Sequence, residues 1–170
     1  MDVADGTSRN IGLPDKFQTP VGEFSRDGRR FTFVSVAGGM ASHVDLVTGQ
    51  RGPVRSFAGM LGARREESAG FAVSPDGSRV AVPLFPGGAW VVMSVLTGAQ
   101  SDPFERPGDR LLTWTRDGLI WGRLTALGGV YSIRATDLNG RNARLLYRIN
   151  LGYDGTRGTV LVARDLDVPQ

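Results

Sequence analysis

An Asp-Gly dipeptide recurs in one setting along this chain: Ser25-Arg26-Asp27-Gly28, Ser74-Pro75-Asp76-Gly77 and Thr115-Arg116-Asp117-Gly118. The three aspartates stand 49 and then 41 residues apart, and a second glycine follows each dipeptide after 21 or 22 residues, at Gly49, Gly98 and Gly140. Two turn signals held in register over three units make an internal repeat, each unit one supersecondary structure. That repeat constrains the fold more than any other feature, because whatever one unit does with its apolar residues the others do again.

Each unit reads as four strands. A short strand enters the Asp-Gly turn (22–25, 70–74, 111–115), and a more apolar one leaves it (30–36, 79–85, 119–124). A third ends at the second glycine (42–47, 89–96, 130–137). A weaker fourth closes the unit at 54–57, near Phe104 and at 143–149. Val, Ile, Phe, Trp, Tyr and Thr fill these runs and turn residues bound them, as strands require. The second and third strands are apolar on both faces, as in Phe31-Thr32-Phe33-Val34 and Trp90-Val91-Val92-Met93. A sheet with one wet face alternates; a sheet sandwiched between two others does not. No helical period runs over a dozen residues. The expected fold is all-β: a β-propeller domain or partial propeller over 1–170, with three clear four-stranded blades at about 22–57, 70–106 and 111–149. Partial units at both ends are expected at 1–12 and 150–166, around Gly6 and Asp154-Gly155. Blades left unfinished at their edges predict association through those edges, with a protein partner or a second copy of the chain.

The signature aromatic-Ser/Thr-x-Asp-Gly followed by an apolar strand resembles the TolB-type, WD-like β-propeller repeat of bacteria. Phe24-Ser25-Arg26-Asp27-Gly28 and Trp114-Thr115-Arg116-Asp117-Gly118 carry it with Arg in place of the family's Pro; Ser74-Pro75-Asp76-Gly77 has the Pro but Val73 for the aromatic. The resemblance covers about 24–149. It implies a binding or scaffolding module, extracytoplasmic or envelope-associated; the alternative it offers is the substrate-gating propeller of a prolyl-oligopeptidase-like serine peptidase.

Chemistry is sparse. There is no cysteine, which excludes thiolate catalysis and cysteine-held zinc. There is no G-x-S-x-G elbow, no phosphate-cradling glycine–lysine loop and no calcium-loop pattern, so no catalytic residue, cofactor or metal is expected. His43 is the only histidine, and Ser42, His43 and Asp45 share one strand, where neighbours point to opposite faces and cannot form a triad. Asp27, Asp76 and Asp117 read as carboxylates that cap turn amides. The net charge is +3, but the arginines are spread through the units and Arg64-Arg65 is followed by Glu66-Glu67, so no nucleic-acid footprint is expected. No apolar run approaches the ~20 residues of a membrane helix, and residues 1–6 lack the basic and apolar regions of a signal peptide. What remains is a rim. Gly38-Gly39, Gly87-Gly88 and Gly128-Gly129 each fall between the second and third strands of a unit, and loops of one rim form contact surfaces. Met40, Phe85, Trp90, Leu127 and Tyr131, beside those glycines, are the candidate contact residues.

Overall fold

Strong β-formers between turn signals give twelve strands among the residues that the computed structural model describes, 21–35, 39–57, 70–84, 88–125 and 130–150. The first sheet contains β1 (Val21–Phe24), β2 (Arg30–Ser35), β3 (Met40–Asp45) and β4 (Arg55–Ser56). The second contains β5 (Ala72–Val73), β6 (Arg79–Leu84), β7 (Ala89–Ser94) and β8 (Phe104–Glu105). The third contains β9 (Arg110–Thr115), β10 (Gly118–Thr125), β11 (Val130–Thr136) and β12 (Arg144–Asn150). Each is an antiparallel meander in chain order. First strands lie side by side, β1 against β5 and β5 against β9, while fourth strands take the far edges. This is the fan arrangement of propeller blades. The expected partial units at 1–12 and 150–166, with Gly6 and Asp154-Gly155, lie outside the described residues apart from Asn150.

The third strands begin or end earlier than the second glycine suggests, because side chains cap the chain as it leaves. The Asp45 carboxylate accepts the amides of Val47 (2.9 Å) and Thr48 (2.8 Å), which turns the backbone before Gly49. Asp137 does the same for Asn139 (2.9 Å) and Arg141 (2.8 Å).

The Asp-Gly turns are of two kinds. In the first two units, Ser25 and Ser74 each donate to the turn aspartate at 2.6 Å and accept the amide of the strand that follows, Arg30 and Arg79, at 2.9 Å. Gly28 and Gly77 close these four-residue loops at φ 68°, where a Cβ would be strained. The third unit instead makes a two-residue turn, with Thr115 paired to Gly118. Phe24↔Phe31, Val73↔Val80 and Trp114↔Leu119 are therefore equivalent pairs. Directly opposite residues share a face whatever the loop between them, so the shorter turn leaves every later side chain on its proper face.

Packing follows that register. Val34 and Ala41 of the first sheet, with Phe57, meet Val73, Val80, Val82, Val91 and Met93 of the second. On its other face the second sheet sets Ala72, Ala81, Trp90 and Val92 against Leu111, Trp114, Leu119 and Trp121 of the third. Val80, Ala81 and Val82 are consecutive and all fully buried, which accounts for the continuous apolar run read in the sequence. Trp121 anchors the second seam: Trp90 meets it edge-on at 4.9 Å and its indole N–H donates to Thr136 Oγ1 at 2.9 Å. Burying such a side chain contributes ~1.5–3 kcal/mol.

Candidate interaction surface

In an antiparallel meander the β2–β3, β6–β7 and β10–β11 connections stand at the end of each sheet away from its Asp-Gly turn, and the candidate rim residues lie beside them. Phe85 and Leu127 fall outside the described residues. Met40 opens β3, opposite Ser35, and packs half-buried on the cluster of Phe33 and Val44. Trp90 is 4% exposed and taken up by packing against Trp121. Tyr131, opposite Leu124 on β11, is half-buried; its ring crosses the backbone of Gly122, where any Cβ would collide with the phenol. Burial pushes the Tyr131 phenol up, against the opposing influence of Arg110, so it stays protonated at neutral pH. The three side chains share the same end of their sheets but occupy three different faces. Met40 is on the outer face of the first sheet, Trp90 in the second seam, and Tyr131 on the outer face of the third.

At that same end lies an ionic clasp formed by the run Arg106-Pro107-Gly108-Asp109-Arg110. The Asp109 side chain is 1% exposed and accepts from Arg123 Nε, and Arg123 also donates to the Pro107 carbonyl at 2.7 Å. Arg106 lies 3.7 Å from Asp109, donates to the Gly140 carbonyl and sits 5.8 Å over the Trp121 ring. The charges tie the second sheet to the third. Proline and glycine beside alternating charge mark a turn in the sequence, but Arg123 is supplied from β10, which spacing alone does not reveal.

The first seam has its own polar ties. Arg30 donates to the Asp76 carbonyl at 2.9 Å, Thr32 Oγ1 to Gly77 O at 2.7 Å, and Arg55 to Leu96 O at 2.7 Å. His43 stands between these arginines with Nδ1 buried and unpartnered. Burial, reinforced by Arg30 and Arg55, holds its pKa below the usual 6.5 despite Asp45. Ser42 points to the opposite face and donates to Gly52 O at 3.0 Å, so Ser42, His43 and Asp45 do not converge. Asp27, Asp45, Asp76 and Asp137 serve the turns, whereas Asp117, expected to cap in the same way, accepts no turn amide in the tighter third turn. Hydrogen bonds from Ser25 hold Asp27 below its usual range; Thr48 does so for Asp45, and Arg141 for Asp137. At Asp76 burial opposes the shift, and the Ser74 and Ser78 hydroxyls outweigh it. Among the large apolar side chains that the described surface leaves open, Phe24 is 66% exposed, Leu124 59% and Tyr147 61%. This arrangement can bind by contact, and it brings no nucleophile–base pair together among the described residues.

No protein-family model matches the sequence, and no curated protein matches it. Solved structures do. The complex of the fission yeast SREBP–SCAP binding domains matches 87% of this chain and 41% of its own at 14% identity, TM-score 0.50. Hydrazine synthase of Kuenenia stuttgartiensis matches 87% of this chain and 39% of its own at 19% identity, TM-score 0.48. BamB of Moraxella catarrhalis matches 72% and 32% at 14% identity, TM-score 0.40. The chain spans less than half the length of each of these. The WD40 domain of fission yeast SCAP stands among the matches; the described residues are all-β, three four-stranded antiparallel sheets arranged as propeller-type blades.

Proposed function

We propose that this chain is a non-catalytic binding or scaffolding module that engages a protein partner. The observation carrying the proposal is the division of labour on the surface. Asp27, Asp45, Asp76 and Asp137 are tied into turn amides and Arg30 and Arg55 into carbonyls of the second unit, while Phe24, Leu124 and Tyr147 stand exposed on the outer sheets. Large apolar side chains exposed on a rigid scaffold are the chemistry of protein contact. A chain of similar fold stands within a complex of binding domains in fission yeast, which supports the reading by analogy. The rim ends of the two outer faces, one at Met40 and one at Tyr131, are the proposed contact sites. The TolB-type kinship and an envelope location belong to the same proposal and rest on the repeat signature.

Selection of a phage-displayed peptide library on the full chain tests it. Aromatic or aliphatic peptides are expected, with affinity falling at least tenfold on Tyr131→Ala or Met40→Ala while the fold is kept. Peptides indifferent to both substitutions would overturn the rim assignment. Ester or peptide turnover abolished by His43→Ala would overturn the non-catalytic reading.

A further inference from the structure

Two inter-sheet contacts lie among the described residues, and positions equivalent to some that they bury recur, exposed, on the outer faces of the first and third sheets. The pairs Pro83↔Trp90 and Gly122↔Ile133 are equivalent, and beyond them Phe104 pairs with Trp90 and Tyr147 with Ile133. Tyr147 thus holds in the third sheet the position that Phe104 holds in the second. Phe104 meets Trp121 of the following sheet edge-on at 6.2 Å, whereas Tyr147 is 61% exposed, with Leu124 on the same face. At the other end, Phe24 is the equivalent of Val73 and Trp114. Those two are buried against the preceding sheet, at 4% and 8% exposure; Phe24, with Phe31 tilted against it at 4.8 Å, is 66% exposed.

We propose that the outer face of the third sheet, at Leu124 and Tyr147, docks the Phe24–Phe31 edge of the first sheet in a second copy of this chain. The occupant is argued from continuity: Phe24 holds the position that both described seams bury at Val73 and Trp114, Tyr147 holds the position that the second seam uses at Phe104, and the described residues supply both halves. The contact is heterologous, and when each copy offers both faces it is made twice about a two-fold axis and closes. Tyr131 lies on the docked face opposite Leu124, so a second copy and a peptide partner compete for it, and sedimentation without peptide tests the self-contact alone.

Sedimentation of the full chain tests it, with Leu124→Arg and Phe24→Asp as variants and far-ultraviolet circular dichroism as the control for folding. Expected is a species of twice the 18.2 kDa chain mass, with the dissociation constant raised at least tenfold by either substitution. Mixing the two variants should give a heterodimer tighter than either homodimer, because one interface is then intact and the other sets Arg against Asp. If Leu124→Arg loses the native spectrum, Tyr147→Glu replaces it. A monomer at every concentration overturns the proposal. Sensitivity to Leu124→Arg alone would mean a face-to-face pair of third sheets and would also overturn it. A mass that keeps growing with concentration would overturn closure.

Discussion

Gly28 and Gly77 share a φ of 68° and differ in what surrounds them. A Cβ on Gly28 would meet nothing within 4 Å, whereas one on Gly77 would lie 3.2 Å from both Arg30 Cδ and Ser25 Cβ. Gly28→Ala should therefore cost only the left-handed backbone strain, ~1 kcal/mol. Gly77→Val adds crowding against the first sheet and should cost ~1–3 kcal/mol. Denaturant melts of the two variants separate strain from contact; equal losses would show that the first seam does not press on this turn. The titrating residues make a second prediction. His43 is held below its ordinary 6.5, so the fold favours its neutral form. Its contribution is complete above pH 6.5 and declines as pH falls through the lower folded value. His43→Val, the residue the second sheet carries at the equivalent Val92, should remove that decline. The turn carboxylates Asp27, Asp45, Asp76 and Asp137 are held below 3.8, so their contribution is present above that pH and lost below it. Melting temperature followed against pH should show two steps in the parent chain and only the acidic one in His43→Val.

At the scale of the element, the third turn shows how a repeat tolerates change. Inserting two residues after Arg116, to give the four-residue loop of the other units, keeps the alternation and lengthens a surface loop, at a cost of ~1 kcal/mol or less. Inserting one residue makes a three-residue loop, which a hairpin closes only with a residue at positive φ and a bulge, and should cost more than inserting two; proteolysis of the two insertions in parallel would show whether turn geometry decides. The sequence made the three described sheets, their order and most of their strands legible, because turn glycines and apolar runs are local signals. It did not reveal that Thr115-Arg116-Asp117-Gly118 is a tighter turn, since Asp-Gly serves loops of both lengths and only the Ser25 and Ser74 hydroxyl bridges tell them apart. For the candidate rim, apolar residues beside paired glycines located Met40, Trp90 and Tyr131 at one end of their sheets. Which face each occupies depends on cross-strand register and on bare backbone at Gly122, and neither is a local property.

For the whole molecule, the two seams are held by different chemistry and should fail differently. The first is closed by neutral carbonyls accepting from Arg30, Thr32 and Arg55 at 2.7–2.9 Å, and the loss of the two exposed arginine bonds leaves polar groups that water can satisfy. The second encloses Asp109, 1% exposed, against Arg123 at 34% and Arg106 at 13%, beside the packed indoles of Trp90 and Trp121. Asp109→Asn removes the shared anion and leaves two cations facing each other over an aromatic surface. The expected loss is ~2–4 kcal/mol, below the full cost of breaking a buried pair because Arg123 reaches solvent. Replacing the clasp with apolar residues, Asp109→Leu with Arg123→Met, removes the stranded charge and should recover most of that loss. Arg30→Met, in the first seam, should cost ~1 kcal/mol or less, the worth of an exposed hydrogen bond. Urea melts of the four proteins decide the matter. If Arg30→Met proves as damaging as Asp109→Asn, the seams are energetically alike; if the double substitution remains as unstable as the single, Asp109 stabilises the third sheet by something other than its charge.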